Sequence, residues 1–153
     1  MCLIKSQGKL IFDPIPKSGK IEKLYKPYWA IISIENDVDK YYRWFLQKEK
    51  GLILQAPAWG PHVTVCDGEK VDDELWNEVK QKYNNQVIDF EHEIFIKSNS
   101  IHWWLKVYCS EVNTIRNELG INNNLKWSLH LTLGIPIPRH EEHSKYIYKL
   151  EMM

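Results

Sequence analysis

One pattern constrains the fold of this chain more than any other, because it occurs twice: Trp59-Gly-Pro-His62-Val-Thr64-Val and Trp127-Ser-Leu-His130-Leu-Thr132-Leu. Both have the form W-x-x-H-φ-T-φ, with φ aliphatic, and the two histidines lie 68 residues apart. What precedes the motifs repeats as well. An aromatic, β-branched run over Tyr28–Ile34 leads through a helical segment and a loop to the first motif, and a similar run over His102–Cys109 leads to the second in the same way. The chain reads as an internal duplication of strand, helix, loop and motif.

Local signals fit that frame. Asp37 is placed to cap a helix in which Tyr41, Trp44, Phe45 and Lys48 share helical spacing, and Gly51 stops it. Ser110 or Glu111 opens the corresponding helix of the second half, closed by Gly120. Between the halves, Val71, Leu75, Trp76 and Val79 mark an amphipathic helix over Val71–Tyr83, and Gln86–Lys97 alternates as a strand. A short strand is expected at Lys9–Phe12 and a last one at Tyr146–Leu150; His92, flanked by Glu91 and Glu93, reads as a surface residue. The expected fold is α+β: a single domain over residues 1–153 with two pseudo-symmetric lobes. Each lobe is an antiparallel sheet with helices packed outside, and the two lobes enclose a central cleft.

Side chains alternate between the faces of a strand. His62 and Thr64 therefore share one face and Val63 and Val65 the other, as His130 and Thr132 are opposed to Leu131 and Leu133. Two such strands brought together offer two imidazoles and two hydroxyls to one cleft, a set suited to displacement at phosphorus. An imidazole with a pKa near ~6.5 can take a proton from the attacking oxygen, and a second can give one to the leaving oxygen. Threonine hydroxyls can hold the non-bridging oxygens. This chemistry needs neither metal nor cofactor. The motifs are near twins, so the sequence does not say which histidine is the base. The pairing is specific: with three threonines and six histidines in the chain, two His-x-Thr pairs arise by random placement at a rate on the order of half a percent.

Paired His-φ-Thr-φ motifs in a duplicated chain resemble the 2H phosphoesterase superfamily. The resemblance covers roughly residues 28–135 and implies the two-lobed fold and catalytic roles for His62, Thr64, His130 and Thr132. Within that superfamily, the chain's size and its W-G-P-H-V-T-V and W-x-x-H-L-T-L-G motifs look most like the phage anti-CBASS nucleases. This implies hydrolysis of 3′–5′ bonds in the cyclic di- and trinucleotide signals of antiviral defence. Opening of RNA 2′,3′-cyclic phosphates, cleavage of 2′–5′ oligoadenylate and a non-catalytic nucleotide sponge are the competing readings.

Composition narrows the partners. Twenty basic residues balance twenty acidic ones, where a protein tracking long nucleic acid carries a basic excess. A small cyclic oligonucleotide remains admissible. Cys2, Cys66 and Cys109 form neither a disulfide framework nor a metal motif. No signal-like stretch or membrane span is present, so a cytoplasmic location and no membrane partner are expected. His140-Glu-Glu-His143 reads as a solvated loop rather than a metal site. It follows the second motif, so Glu141 or Glu142 can reach the cleft mouth and read a base edge. Seven tryptophans and eight tyrosines exceed what a core needs. Trp103 and Trp104 are adjacent, so a strand turns one to each face, and one is a candidate for stacking on a base. Tyr28 and Trp29 pose the same choice. Trp59 faces the core if strand register holds back to it, and borders the cleft if Pro61 breaks that register. Lys106 shares a face with Trp104 and His102, from which it can approach a phosphate.

Overall fold

The computed structural model of the chain describes residues 2–15, 26–57, 59–99, 101–122 and 128–137. The elements are β1 (Leu3–Phe12), β2 (Trp29–Ser33), α1 (Val38–Lys50), β3 (Leu54–Gln55), β4 (His62–Asp67), α2 (Asp73–Tyr83), β5 (Val87–Glu93), β6 (Lys97–Ser98), β7 (Trp103–Tyr108), α3 (Ser110–Glu118) and β8 (His130–Pro136). The expected strand at Tyr146–Leu150 and the residues Trp127, His140, Glu141, Glu142 and His143 lie outside the described residues.

The protein is α+β. All strand pairings are antiparallel, in the order β3-β8-β4-β2-β1-β5-β7-β6, and a further β7–β8 pairing closes six strands into a barrel. Around that ring the order β4-β2-β1-β5-β7-β8 is two three-strand units set back to back. The two halves of the duplication thus share one closed sheet, joined at β1–β5 and at β4–β8.

The halves repeat at the level of single residues. On β2–β4 the register is Ser33↔His62, Ile32↔Val63 and Ile31↔Thr64, with a bulge between Ala30 and Ile31. On β7–β8 it is Lys106↔His130, Leu105↔Leu131 and Trp104↔Thr132, with a bulge between Trp103 and Trp104. Each ladder is extended beyond its histidine by one matching bond: Ile34 N–H donates to Pro61 C=O (3.0 Å) and Val107 N–H to Leu129 C=O (2.9 Å).

One face of the sheet carries Leu10, Phe12, Ile32, Val63, Val65, Ile88, Phe90, Leu105, Val107, Leu131 and Leu133. These pack in one cluster with Tyr42 and Leu46 of α1, Trp76 and Val79 of α2, and Val112 and Ile115 of α3. A barrel of eight strands is only just wide enough inside to be filled by side chains, so a six-strand one cannot hold helices. The helix-backed face is the outer one and the free face is concave. That explains why Ile31 and Trp29, on the free face with none of the described helices packed over them, are only 2% and 8% exposed.

Four local expectations are corrected. β1 runs ten residues rather than four, because it pairs along its length with β5. The strand expected to run through Lys97 stops at Glu93, which lies opposite Leu3, the first residue of β1. Beyond that point β5 has no β1 partner, and the chain bends to pair β6 with β7. His92 is a core residue, 1% exposed. It keeps period two with Ile88 and Phe90, and its Nδ1 donates to Glu93 C=O at 3.0 Å. At the start of α1 the capping bond is made by Asn36, whose Oδ1 accepts from Val38 N–H (3.1 Å), and not by Asp37.

Candidate active site

The two motif strands meet at one residue pair, Val63↔Leu131. Because β4 and β8 are antiparallel, that pair sets His62 beside Thr132 and Thr64 beside His130, all four on the free face. Directly opposed side chains on neighbouring strands have Cβ atoms roughly 4.5–5.5 Å apart. Each histidine therefore stands next to the threonine of the other half.

Both imidazoles are held alike. His62 Nδ1 lies 2.8 Å from Gly60 C=O, and His130 Nδ1 lies 2.8 Å from Ser128 C=O, the carbonyl two residues earlier in each case. A carbonyl only accepts, so Nδ1 carries the hydrogen and the neutral ring keeps its lone pair on Nε2. Gly60 has φ 73, a left-handed conformation that disfavours a side chain and helps turn its carbonyl toward the ring.

Burial separates the twins. His62 is 9% exposed, while His130 is half-buried. Burial pushes the His62 pKa below the ordinary histidine value. The Gly60 bond works against that shift, and the nearby charge of His130 adds to it. Trp59 lies over this side, its ring 4.3 Å from Trp29 and 6.4 Å from His62, centroid to centroid. Trp59 thus borders the histidine, the placement that follows if Pro61 breaks the register. Cys66, on the same strand, is pushed up to about 12 chiefly by burial, so it stays a protonated thiol.

On the His130 side, Trp104 is the tryptophan of its pair that faces the site, with its ring centroid 6.3 Å from His130. Trp103 packs at the edge of the core beneath Lys50, whose Nζ is 5.6 Å from its centroid. Lys106 sits directly across from His130. Tyr28 is not brought to the histidines. It lies at the Asp67 end of β2–β4, on the helix side, bonded through its hydroxyl to Asp73 (2.6 Å) and edge-on to Trp76.

Two arginines escaped the sequence reading. Arg116 of α3 donates to Val65 C=O (2.9 Å), the residue after Thr64, and pairs with Glu69. Arg43 of α1 donates to Leu133 C=O (3.2 Å), the residue after Thr132, and pairs with Asp39 (2.6 Å). The helix of each half thus grips the motif strand of the other. Both arginines look like ordinary helix charges in sequence, and only their spacing inside the repeat hints at a shared role.

No group of three or more His, Cys, Asp or Glu among the described residues could hold a metal ion, and no helix among them is long and apolar enough to cross a membrane. Comparison with protein-family models, characterised proteins and solved structures gives no match to this chain.

Proposed function

We propose that this chain is a metal-independent phosphodiesterase of the 2H type. Its substrate is a cyclic di- or trinucleotide signal, cut at a 3′–5′ bond, and its setting is phage evasion of host defence in the cytoplasm. The observation that carries this reading is the reciprocal arrangement of the motifs. Each His has its Nδ1 pinned to a carbonyl and its Nε2 left to exchange a proton, and each stands beside the other motif's Thr.

A phosphodiester held by the two hydroxyls has an imidazole on either side. His62, the more buried ring and the one whose pKa is lowered, is neutral near pH 7 and acts as base on the attacking 2′-hydroxyl or water. His130, open to the groove, protonates the leaving 5′-oxygen. The threonine hydroxyls hold the non-bridging oxygens as charge develops.

The test is incubation with EDTA against a panel of cyclic di- and trinucleotides, 2′,3′-cyclic nucleotides and 2′–5′ oligoadenylate, read by chromatography. Linear products from the cyclic oligonucleotides are expected. Cleavage confined to another panel member keeps the two-histidine mechanism and replaces the substrate. Binding without turnover removes the enzyme reading.

A further inference from the structure

Lys9 lies in the same cross-strand row as His62: it pairs with Ser33 on β2, and Ser33 pairs with His62 on β4. Leu10 and Phe12 take the helix-backed face of β1, so Lys9 and Ile11 take the free one. Three lysines among the described residues are half-buried, namely Lys9, Lys80 and Lys106. Lys80 Nζ lies 2.8 Å from Asp13 Oδ2, and Lys106 Nζ lies 5.2 Å from the centroid of the Tyr108 ring. Lys9 alone has neither an anionic nor an aromatic partner among the described residues. Taking an ammonium partly out of water is unfavourable unless an opposite charge offsets it. On the concave face, that charge is left for a ligand to supply.

We propose that Lys9, with the Ser33 hydroxyl beside it, binds a second phosphate of the substrate, the one that is not cut. The inference rests on the phosphodiesterase reading above and narrows its substrate. Two strand spacings, roughly 10 Å of backbone, separate Lys9 from His62. Its ammonium therefore serves a phosphate neighbouring the one between the histidines, whereas Lys106 stands directly opposite His130. A substrate that uses both positions carries at least two phosphodiesters, as a cyclic dinucleotide does and a 2′,3′-cyclic mononucleotide does not.

The experiment compares wild type, Lys9→Met and Lys9→Arg on a cyclic dinucleotide and on a dinucleoside monophosphate, which holds the same 3′–5′ bond but one phosphate. Lys9→Met is expected to lower the ratio of kcat/KM on the cyclic substrate to that on the single-phosphate substrate by roughly 10- to 100-fold, the range of a lost charged hydrogen bond. The loss should fall mainly on KM, and Lys9→Arg should restore most of the ratio. An unchanged ratio, whether both activities fall together or neither does, overturns the subsite.

Equilibrium binding of the cyclic dinucleotide across a salt series is read alongside and does not depend on turnover. If wild type binds but cuts neither compound, the phosphodiesterase reading falls. The subsite then stands if Lys9→Met weakens binding and flattens the salt slope by roughly one, and falls if it does not. If wild type neither binds nor cuts, both fall.

Discussion

The two halves of this molecule share a scaffold and differ in what they put on it. Register, bulge position, the ladder bond past the histidine, the Nδ1 anchor and the arginine gripping the opposite strand all repeat. The occupants do not. Where the first half has Ser33 opposite its histidine, the second has Lys106, and where the first has Ile31 opposite its threonine, the second has Trp104. The first half sets Trp59, packed against Trp29, beside His62. The second leaves His130 half-exposed and adds His102, whose pKa is lowered by its own burial and then by the charge of His130. The shared parts fix the geometry of two imidazoles. The differing parts make those imidazoles unequal, as the proposed reaction, with one base and one acid, requires.

The strongest way to break this comparison is to remove each histidine. His62→Ala and His130→Ala should each lower kcat/KM by roughly 10²–10⁴-fold, and the double variant should lose little more, as expected of a base and an acid that act as a unit in the proposed reaction. A near-normal rate from either single variant would mean that the halves do not cooperate in the chemistry. Next in size is the cross-bracing. Arg116 is 1% exposed, and without it Val65 C=O loses a buried donor. Arg116→Met should destabilise by roughly 2–4 kcal/mol in urea unfolding, less than a fully buried pair because Glu69 reaches solvent. Arg43→Met, which strands the buried Asp39, should also destabilise. Neutrality at either site would show that only one helix braces its opposite strand.

Much of this was legible in the sequence. The duplicated motif located the four side chains that the sheet brings together, and alternation alone put them on the face opposite Val63, Val65, Leu131 and Leu133. What was not legible depends on pairing between distant strands. Nothing near Lys9 announces that β1 lies one strand from β2 and two from β4, so its place in the His62 row emerged only from the sheet order. His92 was misread because Glu91 and Glu93 dominate the local composition, while its face is decided by period two from Ile88 and Phe90. The helix boundaries were close, because Gly51 (φ 62) and Gly120 (φ 71) end α1 and α3 by a backbone rule that needs no tertiary context.

The threonines offer a sharper test, because the pairing Val63↔Leu131 makes a prediction that the sequence alone would invert. Within a motif, His62 and Thr64 look like partners; in the sheet, His62 stands beside Thr132. Removing one hydroxyl should cost on the order of 10²-fold in kcat if it holds developing charge. In double-mutant cycles, His62→Ala should couple more strongly to Thr132→Val than to Thr64→Val, and His130→Ala more strongly to Thr64→Val. Stronger coupling within each motif would place the substrate along the strands instead of across them.

The smallest expected effect bears most directly on the division of labour. A base is active when deprotonated, and the acidic limb of kcat/KM against pH reports its pKa in the free enzyme. Burial lowers that value at His62, so the limb should lie below the ordinary imidazole value of about 6.5. The same shift has a stability consequence. As pH falls, the unfolded chain takes up a proton at His62 before the folded one does, so stability is lost down to the folded pKa. Trp59 packs edge-on to that ring from outside the strands, centroid to centroid 6.4 Å. Trp59→Ala admits water, relieves the desolvation and should move the acidic limb upward, with relative activity falling most below the ordinary imidazole value and least above it. If the limb stays fixed while activity drops uniformly, Trp59 acts on the substrate instead. If the wild-type limb lies above the ordinary value, His62 is not the base and the roles of the two halves are exchanged.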